Sequence, residues 1–376
     1  MKKLIMCDFT EYNSPLMRLA NYHYCNCFVK DGYEALWMSN SFNLLTYVIN
    51  PQGYRFRKSL SAVKRHRLGE NVYGFAPYSW RLYGNYPFFN DPRVLLRFEK
   101  YVRPDIRESL KKIGFLEVDV LWLSNPKTYW LMNVVKYDKL VYRIADDYRQ
   151  FPEHFPNIGA VEDEVVKRAD VIILSSESIA QRVRDQGKSA LFLSNGVEYE
   201  HFSNNAGECP PEYMNKEGKR IVYIGAIHYW FDVELVNKLA EQVDADIFLI
   251  GKVETDLSRL KDLNNVHVLG PRNYEKLPAY LHHADVAIIP FIKTTMTDSI
   301  SPIKLFEYCS SGIGVVSSNM RETANLKAPI CIADSHEEFI EGVKHYLVPG
   351  YDRSVLQEYG KRNSWESRFK QIKELL

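Results

Sequence analysis

The stretch Ser301-Pro302-Ile303-Lys304-Leu305-Phe306-Glu307-Tyr308 decides how the C-terminal half of this chain is interpreted. Ser is a favoured N-cap residue and Pro suits the first helical position, so we expect a helix capped by Ser301 and opened by Pro302. Lys304 then lies in the first turn, beside free backbone N–H groups at the positive end of the helix dipole. Glu307 follows three residues later on the same helix face. A cation for phosphates and a carboxylate for sugar hydroxyls predict a site for a nucleotide-sugar.

Short apolar runs alternate with helical patterns along the rest of the chain. The runs predicted to be strands in the N-terminal half are 4–8, 34–39, 118–124, 139–145, 171–175 and 190–194. Those in the C-terminal half are 220–225, 247–251, 266–269, 286–290, 314–317 and 330–332. Strands that alternate with helices predict parallel α/β sheets.

The domain organisation follows from a break in this pattern. Residues 204–218 are rich in Gly and Pro and poor in aliphatic side chains, which is typical of a linker. We therefore predict two Rossmann-like, doubly wound α/β domains that face each other across a cleft. Residues 1–203 would bind the acceptor and residues 219–360 the nucleotide-sugar. Residues 361–376 would form a C-terminal helix that packs back on the first domain.

The composition limits the class of protein. The chain has 376 residues, of which 46% are hydrophobic and 25% charged, as expected of a soluble globular protein. Its net charge of +1 gives no electrostatic basis for binding nucleic acid. No run approaches the ~18 apolar residues of a membrane span, and the N-terminus predicts a strand and not a signal peptide. We expect a cytoplasmic protein whose membrane contact, where it has one, is peripheral.

Several motifs, in this order, resemble the donor-binding half of the GT-B class of glycosyltransferases. They are Tyr223-Ile224-Gly225-Ala226-Ile227, Val266-His267-Val268-Leu269-Gly270, Leu277-Pro278-Ala279-Tyr280-Leu281, Ala284-Asp285-Val286-Ala287-Ile288-Ile289-Pro290-Phe291 and the 302–307 helix with Gly312. In the N-terminal half the resemblance lies in Tyr142-Arg143-Ile144-Ala145-Asp146-Asp147 and Ser194-Asn195-Gly196-Val197. The pattern is similar to xanthan glucuronosyltransferase and teichuronic-acid transferases of bacterial surface-polysaccharide pathways.

The resemblance implies an activity. It implies a metal-independent glycosyltransferase of the hexosyltransferase type, without cofactor, that uses a nucleoside-diphosphate sugar. A UDP-sugar is favoured as donor, and a glycan or lipid-linked molecule in cell-surface polysaccharide synthesis as acceptor. Many retaining members carry Glu where this chain has Ser299, and many members carry paired glycines after the first strand, which residues 8–13 lack. The stereochemistry therefore stays open.

The predicted donor site combines the helix with residues that follow strands. Its members are Gly225, Ala226, Ile227, Arg272, Phe291, Ser301, Ile303, Lys304 and Glu307. Lys304 would bind the diphosphate and Glu307 the ribose hydroxyls; the alternative is an exposed helix with an ordinary Lys and Glu three residues apart. Gly225 either brings backbone close to the phosphates or only forms a turn. Arg272 either forms a wall for the nucleobase or is a solvated loop charge.

Asp146 and Asp147 end an apolar strand of the N-terminal half and are the candidates for catalysis. A carboxylate within hydrogen-bond reach of the acceptor hydroxyl acts as a general base, and the transfer then inverts the anomeric configuration. The alternative is a capping or turn role. The sequence Asp244-Ala245-Asp246 spells a metal-binding DxD motif, but it precedes a strand, at the end of the sheet away from ligands. We predict no metal site.

Two further observations leave alternatives open. A basic stretch at 55–67 predicts contact with anionic lipid headgroups, contact with an acceptor pyrophosphate, or a solvated face. A nucleotide-sugar epimerase or hydrolase, or a non-catalytic nucleotide-sugar-binding protein, remains an alternative to the transferase. The chain has no Gly-x-Gly-x-x-Gly motif after its first strand, which disfavours a dehydrogenase.

Overall fold

The computed structural model describes residues 1–14, 18–83, 89–145, 147–150, 157–175, 179–204, 206–214 and 217–376. The described residues divide into two compact units. Unit 1 comprises Met1–Ser14, Arg18–Ser194 and Phe369–Leu376, and unit 2 comprises Asn195–Arg368. Each unit has its own sheet and its own apolar core.

The sheet of unit 1 is mostly parallel. The strands of this unit are β1 (Lys2–Cys7), β2 (Tyr33–Met38), β3 (His66–Gly69), β4 (Val72–Phe75), β5 (Tyr78–Ser79), β6 (Val102–Arg103), β7 (Glu117–Leu123), β8 (Lys136–Ile144), β9 (Val171–Leu174) and β10 (Leu191–Phe192). Eight of them form one sheet in the order β10-β9-β8-β7-β1-β2-β4-β3, in which only the edge strand β3 is antiparallel. The strand order reverses between β1 and β7, as in Rossmann folds.

Helices connect these strands. They are α1 (Ala20–Lys30), α2 (Leu44–Ile49), α3 (Pro51–Ser59), α4 (Arg93–Leu96), α5 (Ile106–Ile113), α6 (Gly159–Arg168) and α7 (Ala180–Arg184), with 3-10 helices at Phe98–Tyr101, Pro126–Asn133 and Tyr148–Gln150. α5 illustrates how the sequence sets these bounds. The Asp105 side chain accepts the N–H of Glu108 at its start, and Gly114 ends it in the left-handed conformation at φ +84. Its Leu110 and Ile113 are buried in the core.

Unit 2 has a fully parallel six-stranded sheet. Its strands are β11 (Lys219–Ile224), β12 (Ala245–Ile250), β13 (Val266–Val268), β14 (Val286–Ile289), β15 (Gly314–Ser318) and β16 (Cys331–Ala333), in the order β13-β12-β11-β14-β15-β16. The helices after residue 195 are α8 (Tyr199–Asn204), α9 (Pro211–Met214), α10 (Val233–Gln242), α11 (Leu277–His282), α12 (Ile303–Ser311), α13 (Arg321–Asn325), α14 (His336–Leu347), α15 (Arg353–Arg362) and α16 (Trp365–Lys373), with 3-10 helices at Ser258–Leu260, Tyr274–Lys276 and Thr297–Ser299. This is the Rossmann strand order, so the predicted class of two Rossmann-like domains is confirmed.

The predicted linker at 204–218 differs from the structure. The segment contains α9, and its Tyr213 is buried with its ring 4.3 Å from that of Phe248 on β12. The whole of Asn195–Arg368 belongs to unit 2, so the division falls earlier than predicted. The low aliphatic content suggested a linker because the buried side chains in the described part of this segment are those of Pro210 and Tyr213, which are not aliphatic.

The C-terminal residues Phe369–Leu376 belong to unit 1. There the Phe369 ring meets the edge of the Phe28 ring at 4.8 Å, and Lys373 pairs with Asp31. Ile372 is fully buried, whereas Leu375 is exposed. Among the described residues, every helix falls short of the length and apolar character that a bilayer span requires.

Candidate functional site

The topology of unit 2 defines a candidate site at the carboxyl ends of its strands. β11 is hydrogen-bonded to β12 on one side and to β14 on the other, so the direction of winding reverses between β11 and β14. Sheets of this kind bind ligands outside the strand ends at that point. Gly225 directly follows β11, and Phe291 follows β14 by two residues. Lys304, on α12, reaches the same place.

The ammonium group of Lys304 lies against two aromatic rings. Its Nζ is 4.5 Å from the centre of the Phe291 ring and 4.7 Å from that of Tyr223. It donates a 3.2 Å hydrogen bond to the Tyr223 hydroxyl and makes no other hydrogen bond to the described residues. Cation–π contacts therefore hold the charge in position, and N–H donors remain for an anion.

Glu307 lies one turn further along α12, and its carboxylate makes no hydrogen bond to any residue that the structure describes. Burial raises the pKa of the Glu307 carboxyl to about 7, and the charge of Lys304 opposes this shift. Burial lowers the pKa of the Lys304 ammonium to about 8, and Glu307 opposes that shift. Burial therefore destabilises the charged forms of both side chains. A ligand that offers an anion to Lys304 and hydrogen-bond donors to Glu307 would offset this cost.

The start of α12 differs from the prediction that Ser301 caps the helix and Pro302 opens it. The helix begins at Ile303, Pro302 is its extended N-cap residue, and no side chain caps it. The physical reason is a 2.8 Å hydrogen bond from Asn195 Nδ2 to the Ser301 carbonyl, which holds Ser301 outside the helix. Ser301 Oγ is buried without a partner among the described residues, and the N–H groups of Ile303 and Lys304 have no acceptor there. These donors suit an anion.

The loop after β11 brings backbone close to this helix end. A Cβ at Gly225 would lie 2.6 Å from Lys304 Nζ, and one at Gly251 would lie 1.8 Å from the Gly225 carbonyl oxygen. Both glycines adopt positive φ, +151 and +152. Ala226 is exposed at the loop tip, and Ile227 is buried where its N–H donates to the Lys252 carbonyl. The turn therefore needs glycine for close approach as well as for its conformation.

Arg272 lies apart from this group, on the loop after the edge strand β13. It donates to the Leu269 carbonyl at 2.6 Å, to Glu212 at 2.6 Å and to the Tyr280 hydroxyl at 3.0 Å. These contacts fasten α9 and α11 to the loop. Arg272 therefore has a structural role. Its contact with the nucleobase stays a prediction.

Of the two predicted catalytic carboxylates, Asp146 lies outside the described residues. Asp147 Oδ1 accepts a hydrogen bond of 2.8 Å from Arg182 and one of 3.3 Å from the N–H of Arg149. The second contact fits the turn role that was the alternative for this pair. Whether either carboxylate is the base stays a prediction.

The carboxyl ends of β1, β2 and β7 are joined by side chains in unit 1. Asn125, just after β7, donates to the Asp8 carbonyl at 3.0 Å and to Asn40 Oδ1 at 2.7 Å. Asp8 follows β1 and Asn40 follows β2. Burial raises the pKa of the Asp8 carboxyl to about 6, while the N–H of Phe9 and the charge of Arg143 oppose it. A rigid polar group thus marks the reversal point of this sheet.

The DxD sequence lies where the strand pattern predicted. Asp246 is the second residue of β12, at the amino end of the sheet, and its carboxylate accepts from His267 Nε2 at 2.6 Å. That position is remote from the strand ends that carry Gly225 and Phe291.

Sequence reasoning missed the two tyrosines that support the site. Tyr223 receives the Lys304 hydrogen bond and donates to the Ala226 carbonyl at 2.6 Å. The Tyr308 hydroxyl accepts the N–H of Ile224 at 2.8 Å and donates to the carbonyl of Ile224 at 3.2 Å, which fastens α12 to the end of β11. The signal in the sequence was a tyrosine, with its polar hydroxyl, within an otherwise apolar strand (Tyr223) or helix face (Tyr308).

Solved structures share this architecture along the whole chain. Sucrose-phosphate synthase from Thermosynechococcus elongatus matches 100% of this chain and 98% of its own with a TM-score of 0.70 at 12% identity. HepE from Anabaena, in complex with UDP, matches 100% and 99% with a TM-score of 0.62 at 13% identity. The fold is that of the GT-B glycosyltransferases.

The sequence comparisons identify the class of enzyme. Residues 218–348 match the family described as Glycosyl transferases group 1. The putative teichuronic acid biosynthesis glycosyltransferase TuaH of Bacillus subtilis is 25% identical over 279 residues, which are 67% of this chain and 70% of TuaH. The chain is a glycosyltransferase with the GT-B fold, similar to the enzymes of bacterial polysaccharide synthesis.

Proposed function

We propose that this chain transfers a sugar from a UDP-sugar to a glycan or lipid-linked acceptor in cell-surface polysaccharide synthesis, without a metal ion. The observation that carries the proposal is the geometry of α12. Lys304 presents N–H donors, and Glu307 a carboxylate without a partner among the described residues, at the reversal point of a Rossmann-like sheet. These are the groups that the diphosphate and the ribose of a nucleotide-sugar require.

The start of α12 would bind the diphosphate of the donor. The N–H groups of Ile303 and Lys304, the buried Ser301 hydroxyl and the Lys304 ammonium are the donors at this helix end. As the bond to the sugar breaks, negative charge develops on the leaving diphosphate, and preorganised donors stabilise it in the transition state. This is the role that a metal ion plays in metal-dependent transferases, and it supports a metal-independent reaction.

The base would be a carboxylate at the end of β8. It would remove the proton of the acceptor hydroxyl as that oxygen attacks the anomeric carbon, and the diphosphate would leave from the opposite face. Asp147 is engaged by Arg182, which favours Asp146 for this role. Asp146→Asn should then lower kcat by about 100-fold or more with donor affinity unchanged, whereas Asp147→Asn should have the smaller effect.

Two relatives support the choice of donor and pathway. HepE is solved in complex with UDP. TuaH is named as a putative enzyme of teichuronic acid biosynthesis, which makes a surface polymer the favoured product.

Peripheral contact with an anionic membrane would bring the enzyme to a lipid-linked acceptor. All residues of α2 except Thr46 are apolar, and Leu44, Val48 and Ile49 are 69%, 74% and 68% exposed. Residues 35–69 contain six Lys or Arg and no Asp or Glu. Five of these cations are exposed, Arg55, Lys58, Lys64, Arg65 and Arg67. Of these, Arg65 pairs with Glu34 at 2.6 Å. Exposed apolar side chains beside a cluster of exposed cations suit the surface of an anionic bilayer.

Nucleotide binding tests the proposal directly. We expect UDP and UDP-sugars to raise the thermal midpoint of the protein more than other nucleotides do. Lys304→Met should weaken UDP binding by about 10- to 100-fold, since it removes charge-assisted hydrogen bonds. Lys361→Met, a change at an exposed lysine of α15, is the matched control and should bind UDP normally. Equal binding to the two variants would contradict the proposed donor site.

The alternative functions separate in an assay of products. An epimerase or hydrolase would change UDP-sugar without an acceptor, whereas the transferase consumes the donor chiefly when acceptor is present. A non-catalytic binding protein would form no product, and neither Asp146→Asn nor Asp147→Asn would change the result of the assay.

A further inference from the structure

Unit 1 contains a cavity of about 270 Å³ to which the proposed function assigns no ligand. Three of its lining residues are cations, Arg57, Arg81 and Lys127. Asn40 also contributes to its wall, and the remaining lining residues are polar or apolar without charge. None of the described residues that line it is Asp or Glu. Such a lining suits an anion and opposes a second cation.

The surrounding structure holds the cations in place. Arg57 donates to Glu11 at 2.8 Å, and Glu11 also accepts from Ser39 at 2.5 Å, so a carboxylate behind the cavity orients this guanidinium. The Arg81 guanidinium lies over the Tyr101 ring at 5.1 Å. Burial lowers the pKa of the Lys127 ammonium, and the charge of Arg57 lowers it further. An anion would relieve both effects.

The cavity adjoins the reversal point of the unit 1 sheet. Asn40 and Lys127 follow the carboxyl ends of β2 and β7, on either side of β1. Asn125 ties these strand ends together, through its 2.7 Å bond to Asn40 and its acceptance of the Lys127 N–H at 3.0 Å. The cavity thus occupies the place at which such a sheet binds its ligand.

The cavity also borders the exposed helix α2. Asn43 and Thr46 line it, while Leu44, Val48 and Ile49 of the same helix are exposed. Asn43 and Thr46 form a capping box in which each side chain accepts a backbone N–H of the other residue. A ligand in the cavity would therefore lie beside the apolar surface that we propose to meet the membrane.

We propose that this cavity binds the phosphate or diphosphate group of the acceptor, so that the acceptor is a phosphate ester and not a neutral glycan. The inference rests on the proposed function, because it assigns the acceptor to unit 1. Guanidinium groups match phosphate oxygens in pairs, and the lysine adds a point charge. The amides of Asn40 and Asn43 supply further neutral donors.

Titration with inorganic diphosphate tests this site. Calorimetry is done with the full chain and saturating UDP, and repeated in Lys304→Met, so that the donor site does not account for the heat. We expect one diphosphate site per chain, with about tenfold weaker binding in each of Lys127→Gln and Arg81→Gln. Lys112→Gln alters an exposed lysine at the end of α5 and should bind as the unaltered protein does. Lys127→Arg should retain most of the binding.

Each outcome decides a separate claim. Binding of UDP without any diphosphate site, or equal diphosphate affinity in Lys127→Gln, Arg81→Gln and Lys112→Gln, overturns the inference and leaves the proposed donor site intact. Failure of UDP to bind, with diphosphate binding still lost in Lys127→Gln, overturns the donor proposal instead. If Lys127→Gln does not fold, Arg81→Gln carries the comparison.

Vesicles distinguish the source of the phosphate. Phosphatidylcholine vesicles with and without phosphatidylglycerol are sedimented with the protein. We expect Lys127→Gln to bind the anionic vesicles as well as the unaltered protein does, since the cavity serves the acceptor. An equal loss of vesicle and diphosphate binding would assign the cavity to bulk phospholipid headgroups and overturn the assignment to the acceptor.

Discussion

The Lys304 ammonium donates to the hydroxyl of Tyr223, which in turn donates to the Ala226 carbonyl. One tyrosine thus fixes both a cation on α12 and the loop after β11. Tyr223→Phe removes both bonds but leaves the ring beneath the ammonium. We expect UDP affinity to fall by about three- to tenfold and the free energy of unfolding to fall by about 1 kcal/mol.

Tyr359→Phe is the matched control for this change. Its hydroxyl donates to the Leu326 carbonyl at 3.0 Å, away from the proposed site. We expect a similar loss of stability in chemical denaturation and no change in UDP affinity by calorimetry. An equal loss of affinity in the two variants would show that Tyr223 acts only through stability.

Glu307→Gln should raise the free energy of unfolding of the ligand-free protein, and this gain should increase as the pH rises. Folding raises the pKa of the Glu307 carboxyl from its ordinary value of 4.5 to about 7, so its stabilising contribution is fully present below pH 4.5. That contribution is lost as the pH rises through 7, where the folded protein must hold a desolvated carboxylate. Gln has no such loss. The variant should therefore gain about 1–3 kcal/mol over the unaltered protein at pH 8, and little at pH 4.5.

Denaturation curves at several pH values check this expectation, and UDP binding checks its functional counterpart. The same substitution should weaken UDP binding, since Gln is a poorer acceptor for ribose hydroxyls than a carboxylate. A stability difference that is constant with pH would show that Glu307 titrates as an ordinary exposed carboxyl.

Gly251→Ala should be severely destabilising. The added Cβ would lie 1.8 Å from a backbone oxygen of Gly225, at a φ of +152 that residues with a Cβ rarely adopt. We expect a loss of about 3 kcal/mol or more, because backbone and not a flexible side chain must move. Gly218→Ala, where nothing lies within 4 Å of the new Cβ, should change stability by about 0.5 kcal/mol or less. Thermal unfolding of the pair measures the difference.

The double change Val48→Ser and Ile49→Ser should weaken membrane contact with little effect on folding. The two side chains are 74% and 68% exposed, so few internal contacts are lost. We expect about tenfold weaker partition to vesicles that contain phosphatidylglycerol, since the loss of buried apolar surface weakens interfacial binding. Val355→Ser, at a half-exposed valine of α15, should partition unchanged. Equal sedimentation of all three proteins would remove α2 as the contact surface.

The strands and the class of fold could be predicted from the sequence because their information is local. The predicted strand at 220–225 corresponds to β11, and that at 118–124 to β7, each within one residue at either end. Buried parallel strands appear as short apolar runs between helices, and this pattern needs no knowledge of distant partners. The same holds for Lys304 and Glu307, whose shared helix face follows from their spacing.

The surroundings of these residues could not be predicted, because they depend on contacts between distant segments. Asn195 holds Ser301 out of the helix across more than one hundred residues, and no local signal marks that bond. Tyr213 made a Gly- and Pro-rich segment part of the core. The cationic cavity of unit 1 could not be predicted either, since Lys127, Arg57 and Arg81 line one cavity only after folding.

The bond between Asn195 and Ser301 has a practical consequence for dissecting the protein. A recombinant fragment that starts at residue 205, where composition suggests a natural cut, would lack this amide and also α8. His201 of α8 stacks on Tyr274 at 4.6 Å, so truncation would uncover that ring as well. In such a fragment the Ser301 carbonyl would lack its hydrogen bond from Asn195. Ser301 would then no longer be held outside α12, and the position at which the helix begins would change. Fragments intended for nucleotide titration should therefore begin before Asn195.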